Sequence, residues 1–238
     1  MGRSVSDSNG PRELVSPDES IRTYHDRRGR IGPRAQADMR RLLPKYSLSS
    51  TGPILDFVGI FGNPNHVLVE LGFGLGEATV AMAKDEPHRN ICAVEVHLPG
   101  VARLLQACET ECLTNVRVVH GDGVTLLRQR VPSTSLSEIR AFFPDPWPKG
   151  RHQKRRLFRP DLVSLMRQKL MIGGVIHAAT DWQDYAEQMS KVLSAQPGLA
   201  NLHTGFAPRP TRRPTTRFER KGIEKGHQVW DLRFQRTS

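Results

Sequence analysis

Cysteine is scarce in this 238-residue chain, which contains only Cys92, Cys108 and Cys112. Three thiols cannot form a fully paired set of bridges, and their scatter carries no zinc-ligand signature. A reducing compartment, the cytoplasm, is therefore expected. Long apolar runs are also missing. No stretch approaches 18 apolar residues and the N-terminus has no apolar core, which argues against a membrane span and a secretion signal. His120, His152 and His177 fall at no metal-ligating spacing, so no metal is expected. What the chain does have is enough core: 37 % hydrophobic residues at this length exclude a wholly disordered basic protein.

Acids are outnumbered, 24 against 35 Lys and Arg, for a net charge of +11. The surplus is local. Residues 22–45 hold eight basic residues and two acids, 149–159 hold six and none, and 209–225 hold seven and two. These segments carry a surplus of 17, while the remainder, with 14 basic and 20 acidic residues, carries a deficit of six. Clustered positive charge attracts phosphate backbones, and arginine suits bidentate phosphate contacts. The three segments are expected to converge on one polyanion-binding surface rather than to serve only as solvated faces. Charge alone does not separate DNA from RNA.

Residues 1–20 are polar, with Pro11 and Pro17, and read as a disordered or loosely held arm. The rest, 21–238, reads as a single domain with a basic N-terminal extension. A short basic helix is expected over 34–43, ended near Pro44. Strands follow at 67–71, 91–95, 116–120, 139–143 and 174–179, with helices near 77–84, 100–112, 123–130, 158–170 and 181–194. The run from Gln228 to Phe234 alternates like an exposed or edge strand. Apolar strands alternating with helices indicate an α/β fold with a mostly parallel, doubly wound sheet.

After the first of these strands comes Gly72-Phe73-Gly74-Leu75-Gly76, a turn that lets a helix N-terminus approach a ligand closely. The pattern departs from the dinucleotide form because Glu77 stands three residues after Gly74. Acids mark the strand ends: Glu70, Glu95, Asp122 and Asp145 lie along one carboxyl edge, where ligands bind in such sheets. Glu95 is placed for ribose hydroxyls, Asp122 for an adenine amino group and Glu70 for a cationic amino-acid moiety. S-adenosylmethionine, cationic and without phosphate, suits this pocket better than NAD does; a sheet that binds nothing is the remaining alternative.

The most informative segment is Phe143-Pro144-Asp145-Pro146-Trp147-Pro148-Lys149, followed by Gly150-Arg151-His152-Gln153-Lys154-Arg155-Arg156. Three prolines fix backbone angles around one acid and one tryptophan. The basic tail favours phosphate contact. Asp181 ends a later strand, as a functional acid or as the cap of the next helix.

These residues closely resemble the bacterial tRNA (guanine-N7)-methyltransferase family. The resemblance runs over roughly residues 20–235, through Arg28-Gly29-Arg30, the glycine turn with Glu77, Glu95 to Val101, Leu113 to Val116, Phe143 to Arg156, Thr180-Asp181-Trp182 with Tyr185-Ala186, and Arg213 to Arg220 ahead of Gly226-His227. Leu75, Gly123 and Gly150 depart from residues usual there, and none removes a functional group. The resemblance implies a Rossmann-like class I methyltransferase fold with an antiparallel C-terminal strand. It implies S-adenosyl-L-methionine as donor, S-adenosyl-L-homocysteine as product and tRNA as partner, with guanosine 46 of the variable loop as acceptor. Glu70, Gly72, Gly74, Gly76, Glu95, Asp122 and Asp145 match donor-site positions. Lys149, Asp181 and the stretch Thr216, Arg217, Phe218 and Glu219 match substrate-site positions. Nothing in the chain selects between a monomer and a homodimer.

Guanine N7 has an in-plane lone pair and no proton to lose, so placement and charge stabilisation matter more than a base. Asp145 is expected to be the catalytic residue in that sense, assisted by Asp181. Trp147 or Phe218 is expected to stack on a base, with inward packing as the alternative for each, Lys149, Arg151, Lys154, Arg155, Arg156 and Arg217 to place RNA, and Glu219 to orient Arg217 or to accept from a base N–H. The competing readings are a methyltransferase for another substrate and a nucleic-acid-binding module on an inactive fold.

Overall fold

Every residue of Val67–Leu71 (β2) and Asn90–Glu95 (β3) is buried, as happens when both faces of a sheet are covered. The computed structural model describes residues 21–25, 29–211 and 213–238; the expected arm at 1–20 and Arg28 lie outside them. The other strands are Ser47–Leu48 (β1), Val116–His120 (β4), Leu136–Phe142 (β5), Leu170–Thr180 (β6), Leu199–Asn201 (β7) and Trp230–Arg236 (β8). They form one sheet of order β1-β4-β3-β2-β5-β6-β8-β7. The strands from β1 to β6 pair in parallel, and β8 runs antiparallel to both β6 and β7. Chain order reverses between β2 and β5, the switch point where such sheets open a crevice.

Helices cover both faces. Pro33–Tyr46 (α1), Glu77–Asp85 (α3) and Leu98–Thr110 (α4) lie on one, around Leu42, Leu68, Ile91 and Leu105. Phe57–Phe61 (α2), Gly123–Gln129 (α5), Pro160–Lys169 (α6) and Gln183–Ala195 (α7) lie on the other, around Val69, Ile139, Phe158 and Met189. A last helix, Arg217–Glu224 (α8), precedes β8.

Two expectations are corrected. Helix α1 runs through Pro44 to Tyr46. Pro44 sits in the last turn, where Tyr46, only 3 % exposed, bonds Glu109 Oε2 at 3.0 Å and the Ser47 N–H closes on the Leu43 carbonyl. Strand β8 is not the edge, because the three-residue β7 pairs outside it.

From β5 outward, the face shared by α3 and α8 is polar. Arg140 on β5 binds Glu86 (2.8 Å) and Glu138 (2.8 Å), and His177 Nε2 on β6 meets Asp231 Oδ1 at 2.9 Å. Arg213 bridges Asp231 and Glu219, both at 2.9 Å. All seven side chains are buried, and buried charges persist only when paired in this way. Burial alone would raise the Glu138 pKa, but the His177 hydrogen bond and the Arg140 and Arg89 guanidiniums outweigh it and hold the carboxyl well below its ordinary value. At Asp231, too, His177 and Arg213 overcome burial and lower the pKa.

Candidate active site

The glycine turn leaves β2 at the switch point with positive φ at Gly72 (77°), Gly74 (61°) and Gly76 (79°). A Cβ at Gly74 would meet no protein atom within 4 Å, so the turn backbone borders open space, as a ligand cradle requires. Behind it the fit is tight. A Cβ at Gly100 of α4 would lie 2.0 Å from the Gly74 carbonyl oxygen.

The acids expected at this edge are there, each with a partner in the fold. Glu95 Oε2 accepts the Gly74 N–H at 2.8 Å, and its Oε1 accepts from Val96 (2.7 Å) and His97 (2.9 Å). The carboxylate thus fixes the turn while lying at the sheet edge. Asp122 caps α5, accepting from the Thr125 N–H (3.1 Å) and hydroxyl (2.8 Å). Glu70 is 2 % exposed and accepts from the Thr79 hydroxyl of α3 at 2.8 Å. Burial raises its pKa, and its bond to Thr79 ties the end of β2 to the helix after the turn. An open glycine cradle among carboxylates fits a cationic, phosphate-free donor.

The proline-bracketed loop follows β5, beside β2. Phe143 (φ 54°) and Trp147 (φ 43°) adopt left-handed backbone, uncommon for bulky residues and frequent where function holds strain. Asp145 is half-buried, and one of its oxygens accepts the backbone N–H of His25 (2.8 Å) and lies 2.9 Å from His25 Nδ1, an ion pair when the imidazole is protonated. The N-terminal segment therefore closes on this loop, a pairing that sequence reasoning does not reveal.

Trp147 does not serve as an open stacking platform. It is 3 % exposed, with His25 stacked at 3.8 Å, the Arg155 guanidinium at 3.9 Å, and its indole N–H donated to the Thr23 carbonyl. Arg156 is likewise not free for RNA. It is 1 % exposed, donates to the Pro146 carbonyl, Gln188 and Asp184, and lies 4.8 Å from the Tyr185 ring, fastening the loop to α7. Lys149, Arg151 and Lys154 are exposed, as expected for RNA contacts, while Arg155 is half-buried and bonds the Arg22 carbonyl.

On the far side, Asp181 ends β6 one strand from the Asp145 loop. It pairs with His227 Nδ1 at 3.2 Å and does not cap α7, whose N-cap is Trp182. Thr216 caps α8 by accepting the Glu219 N–H at 3.2 Å. Glu219 orients Arg213 (2.9 Å) and Arg209 (3.1 Å), not Arg217, and at 1 % exposure offers no acceptor to a base. Arg217 is exposed, and its backbone N–H binds Glu77 Oε2, in the first turn of α3, at 2.9 Å. The Phe218 side chain lies outside the described structure. Among the described residues no group of three or more His, Cys, Asp or Glu is placed to hold a metal ion, and no helix is long and apolar enough to cross a membrane.

Comparison with solved structures places the fold among methyltransferases. The 16S rRNA methyltransferase KamB superposes with a TM-score of 0.56 at 13 % identity, covering 78 % of this chain and 95 % of that one. TrmN from Thermus thermophilus gives 0.53 at 17 % identity, covering 85 % and 48 %. The family described as "Putative methyltransferase" matches residues 64–232. The tRNA (guanine-N(7)-)-methyltransferase of Streptomyces avermitilis is 48 % identical over 220 residues, covering 91 % of this chain and 76 % of that protein. That of Nitrosospira multiformis is 44 % identical over 221 residues, covering 93 % and 96 %. With the glycine cradle, the proline-bracketed aspartate and identity at this level along nearly its whole length, the chain belongs to the tRNA (guanine-N(7)-)-methyltransferase family.

Proposed function

We propose that this enzyme methylates N7 of guanosine 46 in the variable loop of tRNA, in the cytoplasm. The observation that carries the reading is the adjacency of the open glycine cradle after β2 and the Asp145 loop after the neighbouring β5. Family membership supports the substrate. The buried thiols of Cys92 and Cys108, pushed up to about 12 by burial, stay protonated and inert and suit a reducing compartment.

S-adenosylmethionine, when bound, supplies a methyl group activated by its sulfonium and leaves as S-adenosylhomocysteine. Gly72, Gly74 and Gly76 line the cradle for it, with Glu95 and Asp122 at its rim. Guanine N7 needs no general base, so Asp145 acts by charge. Held by His25, it orients the base and stabilises the cationic character that the ring acquires. Asp181 assists from the next strand, and Lys149, Arg151, Arg217 and Thr216 position the RNA. The test is transfer of labelled methyl from S-adenosylmethionine to total tRNA, followed by nucleoside analysis. 7-Methylguanosine at position 46 is expected; RNA binding without transfer, or another methylated nucleoside, overturns the reading.

A further inference from the structure

Beyond Asp181 the carboxyl edge of the sheet opens into a groove of about 570 Å³, with Trp182 and Trp230 among its walls and Asp181, Glu187 and His227 beside them. Trp182 follows Asp181 directly and remains 43 % exposed, in contrast to Trp147, whose faces are already covered. Trp230 is the register partner of Thr180, so both tryptophans stand next to Asp181 on adjoining elements and line the groove with it. Phe206, 38 % exposed, lies 6.4 Å from Trp230 and extends the aromatic surface.

Among the described residues the lining contains no lysine or arginine. Its imidazole, His227, engages Asp181, and its Asp184 is bound by Arg156. A phosphate finds no cation to pair with here. A nucleobase finds aromatic faces for its ring and, in Glu187, an acceptor for its N–H groups. The groove lies on the side of Asp181 away from the glycine cradle, past the place where the acceptor guanine must meet the donor.

We propose that this groove is a second base-binding site, which takes the unpaired nucleobase adjoining the acceptor guanine in the RNA, with Trp182 as its stacking surface. The assignment rests on the reading of the enzyme as a tRNA guanine-N7 methyltransferase. Binding of the neighbour splays the strand and presents the guanine singly at Asp145, as chemistry on a base within a folded RNA demands.

The test uses the full chain and a tRNA transcript carrying an abasic ribose 5′ or 3′ of the acceptor guanosine. On intact transcript, Trp182→Ala is expected to raise KM roughly 5- to 150-fold with kcat nearly unchanged, and Trp182→Phe to restore most of the loss. One of the two abasic transcripts is expected to raise the wild-type KM by a similar factor and to cost Trp182→Ala nothing further. An unchanged KM in Trp182→Ala, a loss confined to kcat, or abasic and Trp182 losses that multiply overturns the groove assignment. If Trp182→Ala folds poorly, Trp182→Leu takes its place in the same cycle with the abasic transcripts, where losses that do not multiply support the assignment and losses that multiply overturn it. Absence of 7-methylguanosine from wild type on intact transcript instead refutes the parent reading.

Discussion

His25 reaches across 120 residues of sequence to place its backbone N–H and its Nδ1 on the same oxygen of Asp145, at 2.8 and 2.9 Å. A carboxylate held on one oxygen by a backbone N–H, with an imidazole against the same oxygen, has its other oxygen's direction restricted, which is what orienting a base requires. His25→Ala removes the imidazole contact with Asp145 and the stack on Trp147. It should lower kcat about 10- to 100-fold, the worth of one close charged contact in a water-excluded site. His25→Asn, whose amide nitrogen sits near the Nδ1 position, should recover much of the loss in single-turnover assays.

Asp145→Asn keeps the shape of the side chain and removes its charge. Turnover should fall by about 10² to 10³, the usual cost of removing a preorganised electrostatic partner. The thermal midpoint and tRNA affinity should change little, measured by circular dichroism and by filter binding.

Neighbouring basic residues should part company on substitution. Arg156→Ala should destabilise the fold by about 2–4 kcal/mol in urea titrations, because a buried, multiply bonded cation is removed. The double substitution Lys149→Glu and Arg151→Glu should leave that midpoint alone. It should weaken tRNA binding and flatten the slope of log affinity against log salt by about 0.7–0.9 for each phosphate that is no longer neutralised.

Acid should loosen the polar face of the sheet. Glu138 and Asp231 have folded pKa values lowered from 4.5 and 3.8. Below about pH 4.5 the unfolded chain therefore binds protons that the folded chain refuses, and stability falls as pH falls. Asp231→Asn should lower the denaturation midpoint at pH 7 and flatten its decline toward pH 3. Glu70 has the opposite sign, because burial raises its pKa and folding favours the protonated form. Glu70→Gln, which keeps an acceptor for Thr79, should hold or raise stability at neutral pH.

Gly100→Ala should injure donor binding from behind. Its methyl would press on the Gly74 carbonyl oxygen, and an overpacking cost of about 1–3 kcal/mol falls on the cradle. Calorimetry with S-adenosylhomocysteine should show affinity reduced about tenfold or more, with tRNA binding retained.

Much of this architecture is legible in the chain because continuous apolar strands such as Val67–Leu71 and punctuating glycines and prolines leave local marks. The fate of individual side chains is less so. Arg155 and Arg156 are adjacent and chemically identical, yet the 3₁₀ helix Gly150–Arg155 ends between them and the backbone turns extended at Arg156, sending its guanidinium into the protein. Trp147 resists sequence reading for a related reason, since the residues that cover it, His25 and Arg155, come from two separate segments. The His25–Asp145 pairing has no local periodicity to announce it. Helix α8 and strand β7 are too short for pattern to separate them from loop.

The hydrogen bond from the Arg217 N–H to Glu77 Oε2 ties the first turn of the substrate-side helix to the helix that leaves the glycine turn. The two ligands therefore share a mechanical element. Movement of α8 on RNA binding would reach the donor's cradle through this bond, and any such coupling would change donor affinity and RNA affinity by the same factor. That single backbone hydrogen bond is the place where such coupling would be cut, leaving an RNA affinity that no longer differs with and without the donor.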